Sequence, residues 1–310
     1  MSKEFFKSDI QKFKGLDISY YENVAESDNM IVFMVHGLAD HAIRYEKLGR
    51  KLRQEGIGSA TLDLPGHGNS AYGNEGLGLW PEDGFNFCID AVNNGIKKLS
   101  EKYGKPIILM GHSMGAFLAL GFIQKFSDSI KACILSGTND SQAPVLMSIG
   151  KILATVITTI KGSDYKSKIL DTMSFGSFNG HFKPNRTKYD WISRDTEEVD
   201  KYVADPYCGF KASTGLFKSL LGGLSVIYKE ERISAIPKKL PIYCFAGGRD
   251  PVGEFGKGPS SLTAKFINAG IKDIKLKIYD EARHECLNEI NNDEVMEDIA
   301  SFCNYVTKMA

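Results

Sequence analysis

Short, largely apolar runs alternate with segments of helical spacing along most of the chain, and this alternation limits the fold more than any other feature. Met30 to Val35, Gly58 to Leu64, Pro106 to Met110, Lys131 to Ser136, Leu240 to Ala246 and Ile274 to Tyr279 read as strands. Tyr45 to Gln54, Phe85 to Leu99, Ala116 to Phe126 and Glu294 to Val306 read as helices; the first carries Tyr45, Leu48 and Leu52 on one face, and Gly104 ends the second. A strand that is apolar on both faces has no side to show to water and needs helices above and below it. Strands of this kind with helices between them form a parallel sheet. Ile18-Ser19-Tyr20-Tyr21 suggests an antiparallel hairpin at one edge. The alternation stops between residues 137 and 237, where only helical fragments and loops are legible. An interruption of roughly 100 residues is far longer than a connecting loop. The expected organisation is therefore an α/β core at residues 1–136, a helical cap insertion at 137–237, and the core again at 238–310. The central sheet should be mostly parallel and flanked by helices.

Composition narrows the function classes. Of the 310 residues 43% are hydrophobic, enough for a sizeable core, and 38 Lys and Arg balance 38 Asp and Glu. A zero net charge gives no reason to expect nucleic acid as a partner. None of the six cysteines forms a C-x-x-C pair, and Cys133 and Cys244 lie in apolar strand-like runs. They read as reduced core residues of a cytoplasmic protein. The N-terminus is charged and lacks the apolar region of a secretory signal. The most apolar long stretch, Ala143 to Ile160, is interrupted by Lys151 and by Ser and Thr. A membrane span would need about 20 predominantly apolar residues.

The chemistry concentrates in Gly111-His112-Ser113-Met114-Gly115. The bare pattern is short, but here it follows a strand and opens a helix. A sharp strand-to-helix turn exposes the serine hydroxyl above the sheet, and the helix N-terminus offers N–H groups to a developing oxyanion. The alternative is a tight turn in which Ser113 is merely small. A serine nucleophile needs a base. Of the histidines, only His181 and His284 follow Ser113. His181 sits in the insertion, whereas His284 follows the last strand, where a loop would reach the serine. The orienting acid should lie between them after a strand. Asp250, in Gly247-Gly248-Arg249-Asp250-Pro251, meets that condition; Asp280 is the runner-up but stands very near His284 in sequence. Two backbone donors complete the set: Met114, after the nucleophile, and Leu38, where Gly37 permits close approach. His36 and His41 raise the question of a metal, but the spacing offers no third or fourth ligand, so neither metal nor cofactor is expected. Asp63 to Gly68 reads as a strand-ending turn.

These motifs together resemble the monoacylglycerol lipase and lysophospholipase group of α/β-hydrolases, also called serine aminopeptidase-like. The resemblance rests on His36-Gly37-Leu38-Ala39-Asp40-His41 with Arg44-Tyr45, on Asp63 to Gly68, on Gly111 to Gly115, on Gly248 to Pro251 and on Arg283-His284-Glu285. Trp191 to Asp195, followed by Asp205-Pro206, is similar to the cap of bacterial members. It implies the α/β-hydrolase fold, a triad of Ser113, Asp250 and His284, and an oxyanion hole of the Leu38 and Met114 amides. It also implies cleavage of a small-molecule acyl ester carrying one chain, and no obligate protein partner.

The insertion adds a clue to substrate. Val145, Leu146, Ile149, Ile152, Leu153, Val156, Ile157 and Ile160 recur at helical spacing. The stripe either packs on the core, or part of it lines an acyl tunnel or faces lipid at its mouth, which leaves transient membrane contact open beside a cytoplasmic location. Amidase or peptidase action with the same triad is the rival enzymatic reading, and a silent binding protein is the non-enzymatic one. Haloalkane dehalogenases share the fold but need Asp where Ser113 stands.

Overall fold

Eight strands pair in the order β1-β2-β4-β3-β5-β6-β7-β8 in the computed structural model, which describes residues 5–71, 74–140 and 144–309. They are β1 (Lys7–Phe13), β2 (Leu16–Asn23), β3 (Ile31–Val35), β4 (Gly58–Leu62), β5 (Ile107–His112), β6 (Ala132–Ser136), β7 (Ile242–Gly247) and β8 (Ile274–Tyr279). Every pairing from β4 through β3 to β8 is parallel. The hairpin β1–β2 is antiparallel and pairs antiparallel with β4, which places the expected hairpin at one edge.

The sheet is wet on neither central face. All residues of β3 to β7 are buried. Alternate side chains divide between two cores, as the two-residue period of a strand requires. Ile31, Phe33 and Val35 join the core under α2 (Gly84–Tyr103), α3 (Met114–Ile123) and part of α9 (Lys257–Asn268). Val32 and Met34 join the core under α1 (Glu46–Gln54) and α10 (Asn292–Met309). Gly104 closes α2 at φ 63°, the left-handed conformation that glycine adopts without strain. Helix α9 was not anticipated from sequence.

Between β6 and β7 the chain leaves the sheet and forms α4 (Pro144–Lys161), α5 (Lys168–Phe175), α6 (Thr196–Ala204), α7 (Thr214–Ile227) and α8 (Glu230–Ser234), with no strand among the described residues. This excursion is not a separate ball. Ala154, Leu170, Leu216, Phe217, Leu220 and Ile227 belong to the same core as α2 and α3. A small cluster of Trp191, Ile192, Val199 and Tyr202 lies apart.

The apolar stripe on α4 splits. Leu153 and Ile157 pack against the core, whereas Ile149, Ile152, Val156 and Ile160 are exposed. The side chains of Val145 and Leu146 lie outside the described residues. Among the described residues, no helix is long and apolar enough to cross a membrane.

The topology locates the site. From β3 the chain passes to β4 on one side, and later to β5 on the other. The order reverses between β3 and β5, and loops at the carboxyl ends of parallel strands diverge at such a point to leave a crevice. The loop after β3 begins at His36; the turn after β5 holds Ser113.

Candidate active site

Ser113 joins β5 to α3 at φ 53° and ψ −120°. A non-glycine residue in so sparsely populated a region costs on the order of 1–3 kcal/mol and persists only where its surroundings enforce it. The Ser113 N–H donates to Ser136 O at 2.9 Å, and its carbonyl accepts from Ala116 and Phe117 at 2.8 and 3.2 Å. Two glycines make the turn sterically feasible. A Cβ on Gly111 would fall 2.1 Å from Gly115 O, and one on Gly115 would fall 2.1 Å from Val35 O. Strand and helix are in backbone contact, and the serine faces the cavity.

His284 and Asp250 arrive on the loops after β8 and β7. The His284 Nδ1–H donates to Asp250 Oδ2 at 2.9 Å, and both residues are almost wholly buried. The Val252 N–H donates to Asp250 Oδ1 at 2.8 Å, fixing the carboxylate. With Nδ1 engaged, Nε2 is the nitrogen left for chemistry. Burial works to lower the His284 pKa, but the charge and hydrogen bond of Asp250 outweigh it and leave the imidazole above its ordinary value. Neighbouring His112 is pushed down to about 4, first by burial and then by His284, so it stays neutral. Asp280, the alternative acid, is exposed. His181 is also exposed, with its ring 5.0 Å from that of Phe255.

Two residues with unused backbone donors line the same cavity. Among the described residues, the backbone N–H groups of Leu38 and Met114 have no acceptor within the chain, and both residues line the cavity with Ser113 and His284. Met114 opens α3, whose first amides are unpaired by construction. Gly37 is needed beside it, since a Cβ there would press to 3.2 Å from Ser113 Cβ.

The Leu38 loop is held by a buried ionic cluster. Arg44 donates to Asp40 Oδ1 at 2.9 Å and in a fork to Glu285 at 3.0 and 2.6 Å, and it lies 4.9 Å from the centre of the Tyr202 ring. Burial favours neutral carboxyls here, but Arg44 overrides it and holds Asp40 and Glu285 below the usual carboxylate range. The Asp40 Oδ2 accepts weakly from the Gly37 N–H at 3.4 Å, and the Tyr202 hydroxyl donates to Ala39 O at 2.8 Å.

The remaining polar motifs are structural. Asp63 accepts from the Tyr21 hydroxyl and the Ala42 and Asn69 amides at 2.7 to 2.8 Å, so Asp63 to Gly68 is a bonded turn. His36 accepts from the Leu64 N–H through Nε2 at 3.0 Å and donates through Nδ1 to Gly37 O at 2.7 Å, which occupies both nitrogens. His41 Nε2 lies 2.8 Å from Asp205 Oδ2, and Cys208 brings a third ligand-type atom within 4.8 Å. Spacing could not reveal that neighbourhood, because His41 and Asp205 are 164 residues apart. All six cysteines are free.

The cavity holds about 1050 Å³, just above the range of about 300–1,000 Å³ typical for small-molecule sites. Phe117, Phe217, Leu220, Leu221, Leu224 and Tyr228 form an apolar lining. Asp171, Thr187, Lys188 and Lys211 supply polar groups. From α4 only Gly150 reaches it among the described residues. None of the described residues of the α4 stripe lines the cavity, whose apolar lining comes from α3 and α7. Periodicity marks an apolar face without saying what that face meets.

A family model described as Serine aminopeptidase, S33, matches residues 26–291. The chain is 27% identical to monoacylglycerol lipase of Mycolicibacterium smegmatis, with 88% of this chain and 87% of that protein covered. It is 26% identical to monoglyceride lipase of Homo sapiens, covering 84% of this chain and 77% of the other. Among solved structures, a thermostable carboxyl esterase from Bacillus coagulans in complex with glycerol superimposes with a TM-score of 0.90 at 26% identity. That match covers 98% of this chain and all of the other.

Proposed function

The chain belongs to the serine aminopeptidase S33 family and is a serine ester hydrolase of the α/β-hydrolase fold, and from that premise we propose that it cleaves esters carrying one acyl chain, of monoacylglycerol or lysophospholipid type, through an acyl-enzyme on Ser113. One observation carries the reading: the strained Ser113, the Asp250-bonded His284 and two unpaired amides line one cavity. Ser113 Oγ attacks the ester carbonyl while His284 Nε2 takes its proton. Asp250 holds the imidazole and stabilises its charged form. The negative oxygen of the tetrahedral intermediate accepts from the Leu38 and Met114 amides. Collapse expels the alcohol, which leaves with the proton from Nε2. Water repeats the sequence on the acyl-enzyme, releasing the acid and restoring Ser113.

The apolar lining from α3 and α7 supports the choice of substrate. We read the excursion at 137–237 as a cap whose α7 walls the acyl chain. The exposed face of α4, with Ile152 63% and Ile160 70% exposed, is the surface we assign to transient contact with lipid. Each buried methylene contributes about 0.8 kcal/mol, a roughly fourfold gain in kcat/KM where the transition state feels it. A series of p-nitrophenyl and monoacylglycerol esters from acetyl to dodecanoyl should show kcat/KM rising with length and then levelling. Leu224→Trp fills the lining and should level the series sooner while sparing the acetate. A flat series would sink the lipid-ester reading. Equal rates on an ester and an amide of the same acid would favour the amidase instead.

A further inference from the structure

Trp191 belongs to the excursion, yet it packs on His284. The ring centroids are 5.1 Å apart and the planes 34° from parallel. His112 flanks the same imidazole, with centroids 4.8 Å apart at 46°. Trp191 is itself 9% exposed, and its placement is fixed from several directions. Its backbone N–H donates to Asn179 Oδ1 at 3.0 Å, and the Phe178 ring lies 5.1 Å from the indole. The Glu285 N–H donates to Ile192 O at 2.7 Å, and the Ser193 hydroxyl to Asn288 O at 2.7 Å. Glu289, fully buried, accepts from the Arg194 N–H and Nε at 3.0 and 2.8 Å and from the Arg283 N–H at 2.8 Å. The Arg283 guanidinium returns to the carbonyls of Asp190 and Ser193. The strip around Trp191 and the loop bearing His284 are therefore bonded as one unit, although 93 residues separate the two rings in sequence.

An aromatic face is electron-rich and attracts a cation, with indole the strongest of the natural rings. A neutral imidazole gains little from it; an imidazolium gains more. The geometry points to Trp191 as a positioning residue of the hydrolysis: its indole fixes the plane of His284 and favours the protonated ring that forms as Ser113 attacks. This rests on the proposed role of His284 as the base.

Other charges also face His284. Asp250 reaches it from the loop after β7, Asp40 from the loop after β3, Glu285 from its own loop and His112 from the end of β5. Arg44 pairs with Asp40 and Glu285, and His112 is neutral. Substitution at Trp191 touches none of these charges; losing the indole also lessens burial, which would raise the His284 pKa, so a fall reports the aromatic face.

The test compares Trp191→Phe and Trp191→Leu with the parent chain. NMR titration of the His284 imidazole, which requires no turnover, should give a pKa falling in the order Trp, Phe, Leu, by about half a unit for Leu. With an acetate ester, kcat should fall several-fold in the Leu variant and less in Phe, and the acidic limb of the rate profile should move the same way as the titration. If Trp191→Leu does not fold, the Phe variant carries the test through its smaller shift. An unchanged or raised His284 pKa overturns the proposal, as does an equal loss of kcat in both variants with the limb unmoved. Ser113→Ala serves as the separate control. Ester cleavage surviving in it would defeat the triad reading, whereas the titration would still decide what the indole does to the imidazole.

Discussion

At residue 113 the backbone is held where glycine would sit with less strain. Ser113→Ala and Ser113→Gly should both cut kcat by about 10⁴-fold or more, because each removes the proposed nucleophile. Their stabilities should differ. Glycine relieves the positive φ, so Ser113→Gly should be more stable than Ser113→Ala by about 1 kcal/mol in urea unfolding. A less stable glycine variant would mean that no strain is stored there. As the proposed base, His284 should set the pH dependence. The base must be neutral to accept a proton, and its pKa is raised, so kcat/KM should climb with pH through an apparent value above about 6.5. The His284–Asp250 pair acts on stability in the opposite sense. A raised pKa contributes most below the unfolded value near 6.5, and the contribution is lost as pH rises through the folded value. The pH of best activity is therefore one at which this pair stabilises least. Asp250→Asn should lower kcat strongly with little change in KM, as a stopped-flow or steady-state comparison would read out.

Helix α4 shows how an element can be legible in one respect and not in another. Its apolar spacing was plain, but the structure turns Leu153 and Ile157 inward and leaves Ile152 and Val156 in water. Ile152→Asp and Val156→Asp should therefore spare hydrolysis of a dissolved short ester. They should slow cleavage of a long-chain ester presented in vesicles, measured by release of acid at equal bulk substrate. Equal loss on both substrates would put these side chains in the site instead. The central strands were the easiest elements to read, since unbroken apolar runs such as Ile31–Val35 and Ile107 to Met110 admit few alternatives. The candidate site residues were legible from their places: Ser113 and Asp250 stand just past central strands and His284 in the loop after the last one. Helix α9 escaped because Lys257–Asn268 is largely polar, with Leu262 and Phe266 the main buried apolar pair. The contacts of Trp191 with His284 and of Asp205 with His41 leave no local pattern. They depend on how a long excursion returns to the sheet, which no spacing encodes.

Across the whole molecule, Arg44 links segments far apart in sequence: the Asp40 loop after β3, the Glu285 loop after β8 and Tyr202 on α6. Arg44→Ala would leave two buried carboxylates without their cation, a change that costs about 3–5 kcal/mol. The sign with pH follows from the depressed carboxyls. Their contribution is present above the unfolded value near 4 and is lost below it. The gap between parent and variant in urea unfolding should therefore hold from neutrality down to about pH 4 and shrink below it. A gap independent of pH would assign the loss to packing on Tyr202. The excursion shares its apolar contacts with α2 and α3 and sets an aromatic wall against His284. Exchanging it for the corresponding stretch of another hydrolase would thus transplant more than a substrate filter. It would reset how readily the imidazole accepts a proton, so a chimera built to alter chain-length preference would also alter its working pH. Retaining residues 190–194 from the recipient would be the way to inherit the new filter without that second change.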